Sequence, residues 1–292
     1  MAFKTIEAVI APSNLHFVGD GFRVYGILGR DEPLTMKRMS PFLLMDYAPA
    51  HYFPPNTGAP RGVGSHPHRG IETVTIAYKG RVEHHDSSGG GGIIAEGDVQ
   101  WMTSGSGILH KEYHEKNFSK KGGDMQMVQL WVNLPAKDKM TAPKYQNLNK
   151  KNITKVELED NSGTINIIAG QFENHKGPAS TFSPLNLFNI NLNKGKGTSL
   201  NLPKEHNTGL LITKGSVTIN NTEKAPTNHF VLFQNDGTEF TIRADEGATI
   251  LMLSGEPIDE PIASYGPFVM NTNAEIRQTI DDFNSGKFGY LD

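Results

Sequence analysis

Short runs of alternating apolar and polar residues, each closed by glycine or proline, most constrain the fold of this 292-residue chain. The run Glu72 to Tyr78 (ETVTIAY) alternates before Gly80. The run Met125 to Leu134 (MQMVQLWVNL) alternates up to Pro135. Similar runs recur later: Leu210 to Thr213, Ser216 to Ile219, Phe230 to Phe233 and Thr249 to Leu253. This spacing approaches the roughly 8–12 residues typical of antiparallel sandwiches and barrels, so we predict an all-β fold.

The domain organisation follows from length and from one polar stretch. A chain of 292 residues favours two domains of ordinary size. Between Pro135 and Asn161 the chain turns Lys- and Asn-rich (AKDKMTAPKYQNLNKKN), which is typical of a linker. The second half repeats the strand rhythm of the first. We therefore predict a first domain over 1–135, a linker over 136–160 and a second domain over 161–292.

One helix is predicted near the C-terminus, at about 273–285. Thr272 and Glu275 fit a capping box, and Gly286 can end the helix. Apolar residues follow at i, i+4 and i+7: Ile276, Ile280 and Phe283. Its single apolar stripe should pack on a barrel surface as a structural clasp.

Composition excludes several classes of function. The formal charge is −3 and no basic face is visible, which argues against direct nucleic-acid binding. The chain has no cysteine, so a metal must be held by nitrogen and oxygen donors. The first residues lack a signal-peptide pattern, and no run approaches the about 18 apolar residues of a membrane helix. We expect a cytoplasmic protein with no membrane association.

Histidines concentrate in the first part of the chain, where eight of the 11 precede residue 115. His66 and His68 flank Pro67, and residues two apart on a strand project from the same face. His110 and Glu112 have the same spacing. Two such pairs on facing strands of a barrel would bring together three imidazoles and one carboxylate. That donor set suits a divalent metal with positions left open for water or substrate.

Glu72 is a second candidate for the carboxylate ligand, because it lies four residues after His68 and could also face inward. The same-face relation to His110 favours Glu112, and Glu72 stays as an alternate ligand or a neighbour of the site.

Several other side chains allow more than one interpretation. His114 could line the cavity, but we expect it in solvent. His84 and His85 are adjacent, so only one can face inward, and His85 fits a turn or the barrel mouth. Four further side chains are expected to fill the core: Trp101, Trp131, Met125 and Met127.

Two long motifs carry a family resemblance. HPHRGIETVTIAYKG followed by EGDVQWMTSGSGILHKE resembles the paired motifs of the pirin family, within the cupin superfamily. The likeness continues in PFLLMDY, in MQMVQLWVNLP and in GEPIDEPIASYGPFVMNT, and it spans nearly the whole chain. It implies two tandem antiparallel cupin-type β-barrels, a bicupin, with the short C-terminal helix.

The resemblance also implies where a metal binds. The family's ligands fall on His66, His68, His110 and Glu112, and its usual metal is iron. One divalent ion is expected, and manganese, nickel, copper, cobalt or zinc would also suit these donors. No His-x-His pair follows residue 150, so the second barrel should hold no metal.

The function implied by the resemblance is flavonol (quercetin) 2,3-dioxygenase activity. The partners would be dioxygen and a small flavonoid-like or other bidentate oxygen substrate. Glu112 would be a ligand and the candidate base for the substrate 3-hydroxyl proton. The family also implies an alternative, a metal- and redox-dependent regulator that binds a transcription factor or a metabolic enzyme. A purely structural metal is a third interpretation. We expect a monomer, because nothing demands an interface.

Overall fold

Antiparallel strands dominate the computed structural model, which describes residues 2–29 and 32–291. The strands in chain order are β1 (Ile6–Ile10), β2 (His16–Val18), β3 (Phe22–Leu28), β4 (Phe42–Phe53), β5 (Gly62–His68), β6 (Ile71–Lys79), β7 (Arg81–Asp86), β8 (Gly91–Ala95), β9 (Val99–Thr103), β10 (Ile108–His114), β11 (Gly123–Asn133), β12 (Lys144–Leu148), β13 (Thr154–Glu157), β14 (Gly163–Ala169), β15 (Gln171–Phe172), β16 (His175–Lys176), β17 (Leu185–Leu192), β18 (Gly197–Asn201), β19 (Asn207–Lys214), β20 (Val217–Ile219), β21 (Glu223–Ala225), β22 (Phe230–Phe233), β23 (Glu239–Ala244), β24 (Ala248–Gly255), β25 (Ala263–Tyr265) and β26 (Phe268–Met270). The helices are α1 (Lys116–Lys121) and α2 (Asn273–Asn284), with 3₁₀ turns at Ala136–Asp138 and Glu159–Asn161. The all-β prediction is confirmed.

The chain divides into two units. The first unit comprises residues 14–37, 41–150 and 258–292, and the second comprises 1–13, 38–40 and 151–257. Among the helices of the described ranges, none has the length and apolar character that crossing a membrane requires.

The first unit contains a large and a small sheet. Seven strands follow the order β12-β9-β6-β11-β4-β3-β2, and four follow the order β5-β10-β7-β8. A buried cluster draws on both sheets: Phe22, Val24, Ala48, Phe53, Ala77, Val82, Ile94, Met125 and Met127. The alternation of apolar residues along these strands therefore turns one face of each sheet toward a shared interior.

The second unit repeats this plan. Its sheets follow the orders β1-β22-β19-β24-β17-β14-β13 and β18-β23-β20-β21. Leucine, isoleucine, valine and phenylalanine fill the space between them, with Phe188, Phe233 and Phe240 fully buried. Phe233 and Phe240 contribute a ring pair at 4.7 Å.

The predicted domain boundaries need correction. Strand β1 pairs with β22 and so belongs to the second unit, whereas residues 258–292 belong to the first. The predicted linker, 136–160, contains β12 and β13, which pair with β9 and β14. Both strands lie at the edge of a sheet and expose much of their surface. Edge strands commonly carry charged residues, which is why their composition resembles that of a linker.

Helix α2 lies where it was predicted. Thr272 Oγ1 accepts a hydrogen bond from the Glu275 amide at 3.2 Å, which caps its first turn. Its buried face packs in a small apolar cluster: Phe268, Met270, Ile276 and Phe288, with Leu109, Ala263 and Ile280 alongside. Because Leu109 belongs to β10, the helix packs against the small sheet of the first unit.

A buried ion pair anchors α2 to the turn after β5. Arg69 Nη1 donates to Asp282 Oδ2 at 2.8 Å, and the two side chains are 5% and 10% exposed. The guanidinium also donates to the Ser106 carbonyl at 2.8 Å and lies 4.7 Å from the Phe288 ring. Hydrogen bonds from Lys287 and Arg69 hold the pKa of Asp282 far below its usual range.

Removing the Asp282 carboxylate should destabilise the first unit. Asp282→Ala leaves the Arg69 guanidinium buried without its counterion, so the free energy of unfolding should fall by about 3 kcal/mol. Urea unfolding measures this loss. The control is Asp124→Ala, because Asp124 and its partner Lys79 are 46% and 45% exposed. That variant should change stability by less than about 1 kcal/mol. Equal effects of the two variants would contradict an anchoring role for Arg69 and Asp282.

Candidate metal centre

Three histidines meet on two neighbouring strands of the small sheet. In the pairing of β5 with β10, His66 lies opposite His110, and His68 lies opposite Ile108. Ring centroids are 5.0 Å apart for His66 and His68, 4.2 Å for His66 and His110, and 4.8 Å for His68 and His110. One candidate ligand atom from each lies within 4.8 Å of the others. The expected convergence is present, but on adjacent strands rather than on facing ones.

Each of these imidazoles has its Nδ1 in a hydrogen bond. His66 Nδ1 lies 2.8 Å from the Gly64 carbonyl oxygen, and His68 Nδ1 lies 3.3 Å from the Pro267 carbonyl oxygen. A carbonyl only accepts, so both rings carry a proton on Nδ1, and Nε2 is the nitrogen of each ring left to bind a metal. His110 Nε2 is buried and has no hydrogen-bond partner among the residues that the structure describes. An orphaned ring nitrogen beside two such nitrogens fits a bound metal ion.

Burial keeps His68 and His110 neutral. It lowers the pKa of His68 to about 3, and the adjacent His66 adds to this effect. Burial and the neighbouring imidazoles likewise place the pKa of His110 well below its ordinary value. Only a neutral imidazole can ligate a metal, so these two rings are already in the protonation state that binding requires.

Glu112 lies beside this cluster and is held by side chains from the large sheet. Its Oε1 accepts a hydrogen bond from Gln100 Nε2 at 2.6 Å and lies 3.0 Å from Thr75 Oγ1. Its Oε2 is 3.5 Å from Gln129 Nε2. Glu112 forms a second potential metal-binding group with His84 and His110 rather than joining His66 and His68 directly. His110 is therefore common to both groups.

A β-bulge determines how the pair His110 and Glu112 is aligned with the pair His66 and His68. The register of β5 against β10 shifts between His110 and Glu112, which lies opposite Val63. Bulges redirect side chains and are frequent beside functional sites.

Glu72 faces away from this centre, so the alternate-ligand prediction is wrong. It is buried, accepts a hydrogen bond from Thr103 Oγ1 at 2.7 Å, and belongs to no metal-binding group of the described residues. Glu72 and the inward-facing Thr75 lie three positions apart on β6, an odd number, so the two side chains lie on opposite faces. The turn between β5 and β6 interrupts the alternation, and spacing from His68 does not carry across it.

Three further histidines of the first unit were also considered from the sequence: His84, His85 and His114. His84 is the inward member of its pair and is fully buried, whereas His85 is exposed and contacts Glu83 at 2.9 Å. The expectation that His114 lies in solvent is wrong. It is buried among the rings of Phe22, Phe53 and Phe118, and its Nε2 lies 2.8 Å from the Gly21 carbonyl oxygen.

A cavity of about 340 Å³ opens beside the metal-binding residues. It is lined by Val18, Phe22, Val24, Leu44, Asp46, Val63, His66, His68, Glu112, Met127, Gln129, Trp131 and Pro267. Trp101, Met125 and Met127 fill the core as predicted. Trp131 does not, because it is only partly buried and packs edge-on to His68 at 5.1 Å in the cavity wall. A mostly apolar chamber with a few polar groups is typical of small-molecule sites.

Residue patterns missed the polar side chains behind the ligands. Thr75, Gln100 and Gln129 contact Glu112, and Tyr145 stacks on His84 with ring centroids 5.0 Å apart. Threonine at alternate positions of ETVTIAY was the available signal, because one face of that strand is polar although the strand is buried. The glutamines become recognisable only once the strand pairing is known.

Comparison with known proteins identifies the family. The Pirin family model matches residues 21–132, and the model for the pirin C-terminal cupin domain matches residues 187–289. The chain belongs to the pirin family. Both units of this pirin thus correspond to cupin domains, and the predicted bicupin fold is confirmed.

Similar proteins cover this pirin from end to end. A Pseudomonas aeruginosa protein with the provisional name quercetin 2,3-dioxygenase is 47% identical over 98% of both chains. Pirin-like protein 2 of Arabidopsis thaliana is 36% identical over 93% of this chain and 82% of its own. The crystal structure of a quercetin 2,3-dioxygenase from Acinetobacter baumannii superposes with a TM-score of 0.94 at 46% identity, covering 100% of both chains.

Replacing Glu72 by glutamine should leave metal binding unchanged and alter the pH dependence of stability. Burial raises the pKa of Glu72 to about 7 from 4.5. Between these values the unfolded chain has lost the proton that the folded chain keeps, so rising pH destabilises the wild type. Glutamine does not titrate, so Glu72→Gln loses this pH dependence. The stability of the variant relative to the wild type should be about 2 kcal/mol greater near pH 8 than near pH 5. Denaturant unfolding at both pH values tests this, and loss of bound metal in the variant would restore Glu72 as a ligand.

Proposed function

We propose that this pirin is a metal-dependent flavonol (quercetin) 2,3-dioxygenase that uses dioxygen. In this proposal His66, His68, His110 and Glu112 hold the metal. The observation that carries it is the group of three imidazoles, whose candidate ligand atoms lie within 4.8 Å of one another, beside an apolar cavity of about 340 Å³. The names of its relatives, which refer to quercetin 2,3-dioxygenase, support the choice of substrate class.

Iron is the metal that we propose. When bound, it supplies Lewis acidity and the redox chemistry that brings dioxygen to react with a flavonol. Manganese, nickel, copper, cobalt and zinc accept the same nitrogen and oxygen donors. The chain contains no cysteine, so thiolate ligands have no part in the choice of metal.

Glu112 is the residue that we propose to take the proton of the substrate 3-hydroxyl group. Gln100 Nε2 holds Oε1 at 2.6 Å, which fixes the orientation of the carboxylate. Oε2 has only the long 3.5 Å contact with Gln129 Nε2, so it keeps its capacity to accept a proton. Glu112 also lines the cavity, as a general base must if it is to reach the substrate hydroxyl.

The cavity walls suit a flat aromatic substrate. Trp131, Phe22 and Val24 provide apolar surface that favours an aromatic ring over water. Asp46 and Gln129 also line the cavity and offer hydrogen-bonding groups to substrate hydroxyls. This small set of polar groups would orient the substrate, while the apolar walls supply most of its binding free energy.

Three further expectations stay predictions: a regulatory role through a transcription factor or metabolic enzyme, a monomeric state and a cytoplasmic location.

Replacing His66 should abolish turnover. His66→Ala removes one imidazole of the metal-binding group, so metal content and dioxygen consumption with quercetin should both fall to background. An oxygen electrode and elemental analysis of iron-loaded protein measure these quantities. His85→Ala is the control, because His85 is exposed and contacts Glu83 outside the cavity. Undiminished oxygen consumption by His66→Ala would refute the assignment of the active site.

Replacing Glu112 tests its role as the base. Glu112→Gln keeps the size of the side chain but cannot take the hydroxyl proton, so kcat should fall about 10²–10⁴-fold. The oxygen electrode measures the rate, scaled to bound metal in each preparation so that weaker binding is not mistaken for slower chemistry. A kcat per metal equal to that of the wild type would show that another group removes the proton.

A further inference from the structure

We propose that His84 and Asp86 are positioning residues that hold His110 in the tautomer with its proton on Nδ1. This inference rests on the proposed function only in taking His110 as a metal ligand. Neither residue lines the cavity. They act through a chain of hydrogen bonds in which Asp86 contacts His84, and His84 contacts His110.

The Asp86 carboxylate is fixed by the turn that follows it. Its Oδ1 accepts hydrogen bonds from Ser88 N at 2.9 Å, Ser88 Oγ at 2.7 Å and Gly90 N at 3.0 Å. Its Oδ2 lies 3.1 Å from His84 Nε2. An ionised carboxylate only accepts, so His84 donates from Nε2. Gln100 Nε2 lies 3.3 Å from His84 Nδ1 and can only donate, so Nδ1 of His84 presents a lone pair.

Two groups compete to donate to His84 Nδ1. His110 Nδ1 and Gln100 Nε2 both lie 3.3 Å away. The two amide protons of Gln100 have nearer acceptors, Glu112 Oε1 at 2.6 Å and Thr75 Oγ1 at 3.2 Å. Thr75 can accept because its hydroxyl oxygen keeps two lone pairs while its proton is donated, with Gln129 Oε1 the nearer acceptor at 2.6 Å.

Counting protons in this way leaves His110 as the donor to His84. His110 then carries its proton on Nδ1 and has a lone pair on Nε2. That is the buried atom with no hydrogen-bond partner, so the network directs the free lone pair of His110 toward the metal-binding group.

The acceptor that fixes the tautomer is a side chain for His110, whereas it is a backbone carbonyl for each of the other two histidines. His66 and His68 contact the carbonyl oxygens of Gly64 and Pro267, which can only accept a proton. A histidine acceptor, by contrast, can present either a lone pair or a proton. Asp86 removes this ambiguity for His84, and stacking on Tyr145 at an interplanar angle of 15° holds the His84 ring in place. Partners of this kind typically change metal affinity about 10–100-fold when they are replaced.

Asp86→Asn should reverse the direction of the whole sequence of hydrogen bonds. The three donors at Oδ1 retain the amide oxygen there, which places the amide nitrogen opposite His84 Nε2. His84 must then accept at Nε2 and carry its proton on Nδ1. His110 must accept at Nδ1 and carry its proton on Nε2, where a metal would bind. The analogous aspartate-to-asparagine change in a catalytic triad acts through such a wrong tautomer.

Two measurements on the full chain test this inference. Long-range ¹H–¹⁵N NMR of the metal-free protein reports which nitrogen of His110 is protonated. We expect Nδ1 in the wild type and Nε2 in Asp86→Asn. Competition between Co²⁺ and a chelator reports affinity, and Kd should rise about 10–100-fold in the variant. The matched control is Asp98→Asn, because Asp98 is also a buried turn carboxylate, bonded to the amides of Ala95 and Lys150. It should match the wild type in both measurements.

Variants of His84 give a second test that does not depend on the folding of Asp86→Asn. His84→Leu removes the acceptor and should weaken Co²⁺ binding about tenfold or more. His84→Asn can place an amide oxygen near the position of Nδ1, so it should recover most of that affinity. Nδ1 protonation of His110 in Asp86→Asn, or equal Co²⁺ affinities of His84→Leu and the wild type, would overturn the inference. A wild type that binds no Co²⁺ would instead contradict the proposed metal site, while the NMR result would still decide the role of Asp86.

Discussion

The register between β5 and β10 is the constraint on which the candidate metal centre depends. It places His66 opposite His110 and offsets Glu112 by one bulge. A slip of one residue would turn every side chain of the strand to the other face of the sheet and separate the imidazoles. The carbonyls of Gly64 and Pro267 contact histidines of β5, the ion pair of Arg69 with Asp282 holds the end of β5, and α2 packs against Leu109 of β10. Much of the first unit therefore serves to fix one strand pairing.

The two units use one architecture for two kinds of interior. Each has a seven-stranded and a four-stranded sheet. In the second unit apolar side chains fill the space between them. In the first unit Thr75, Gln100, Glu112 and His84 occupy part of that space. Burying these polar groups costs free energy unless each donor and each acceptor finds a partner, and among the described residues this network meets that condition except at His110 Nε2. The exception lies where a metal is expected, so function explains it better than stability does.

How far the sequence predicts this site depends on how local each feature is. His66 and His68 are recognisable because two-residue spacing on one strand is a local rule. The same rule misled for Glu72, because a turn lies between it and His68. Long-range pairing set the features that were missed: β7 brings His84 beside β10, and edge pairing makes strands of the predicted linker. His114 was misjudged because aromatic residues distant in sequence bury it.

Residues of the last part of the chain contribute to the candidate metal centre. Pro267 contributes both the carbonyl that orients His68 and a portion of the cavity wall, although 199 positions separate the two residues. Val269 packs with Ile71 and Leu43, and Arg69, the residue after β5, forms an ion pair with Asp282 of α2. Because a ring whose Nδ1 has no acceptor can place its proton on either nitrogen, the position of Pro267 bears on the tautomer of His68 itself. The metal-binding group therefore requires residues from β5 through β26, and the second unit lies between them in sequence without interrupting the site.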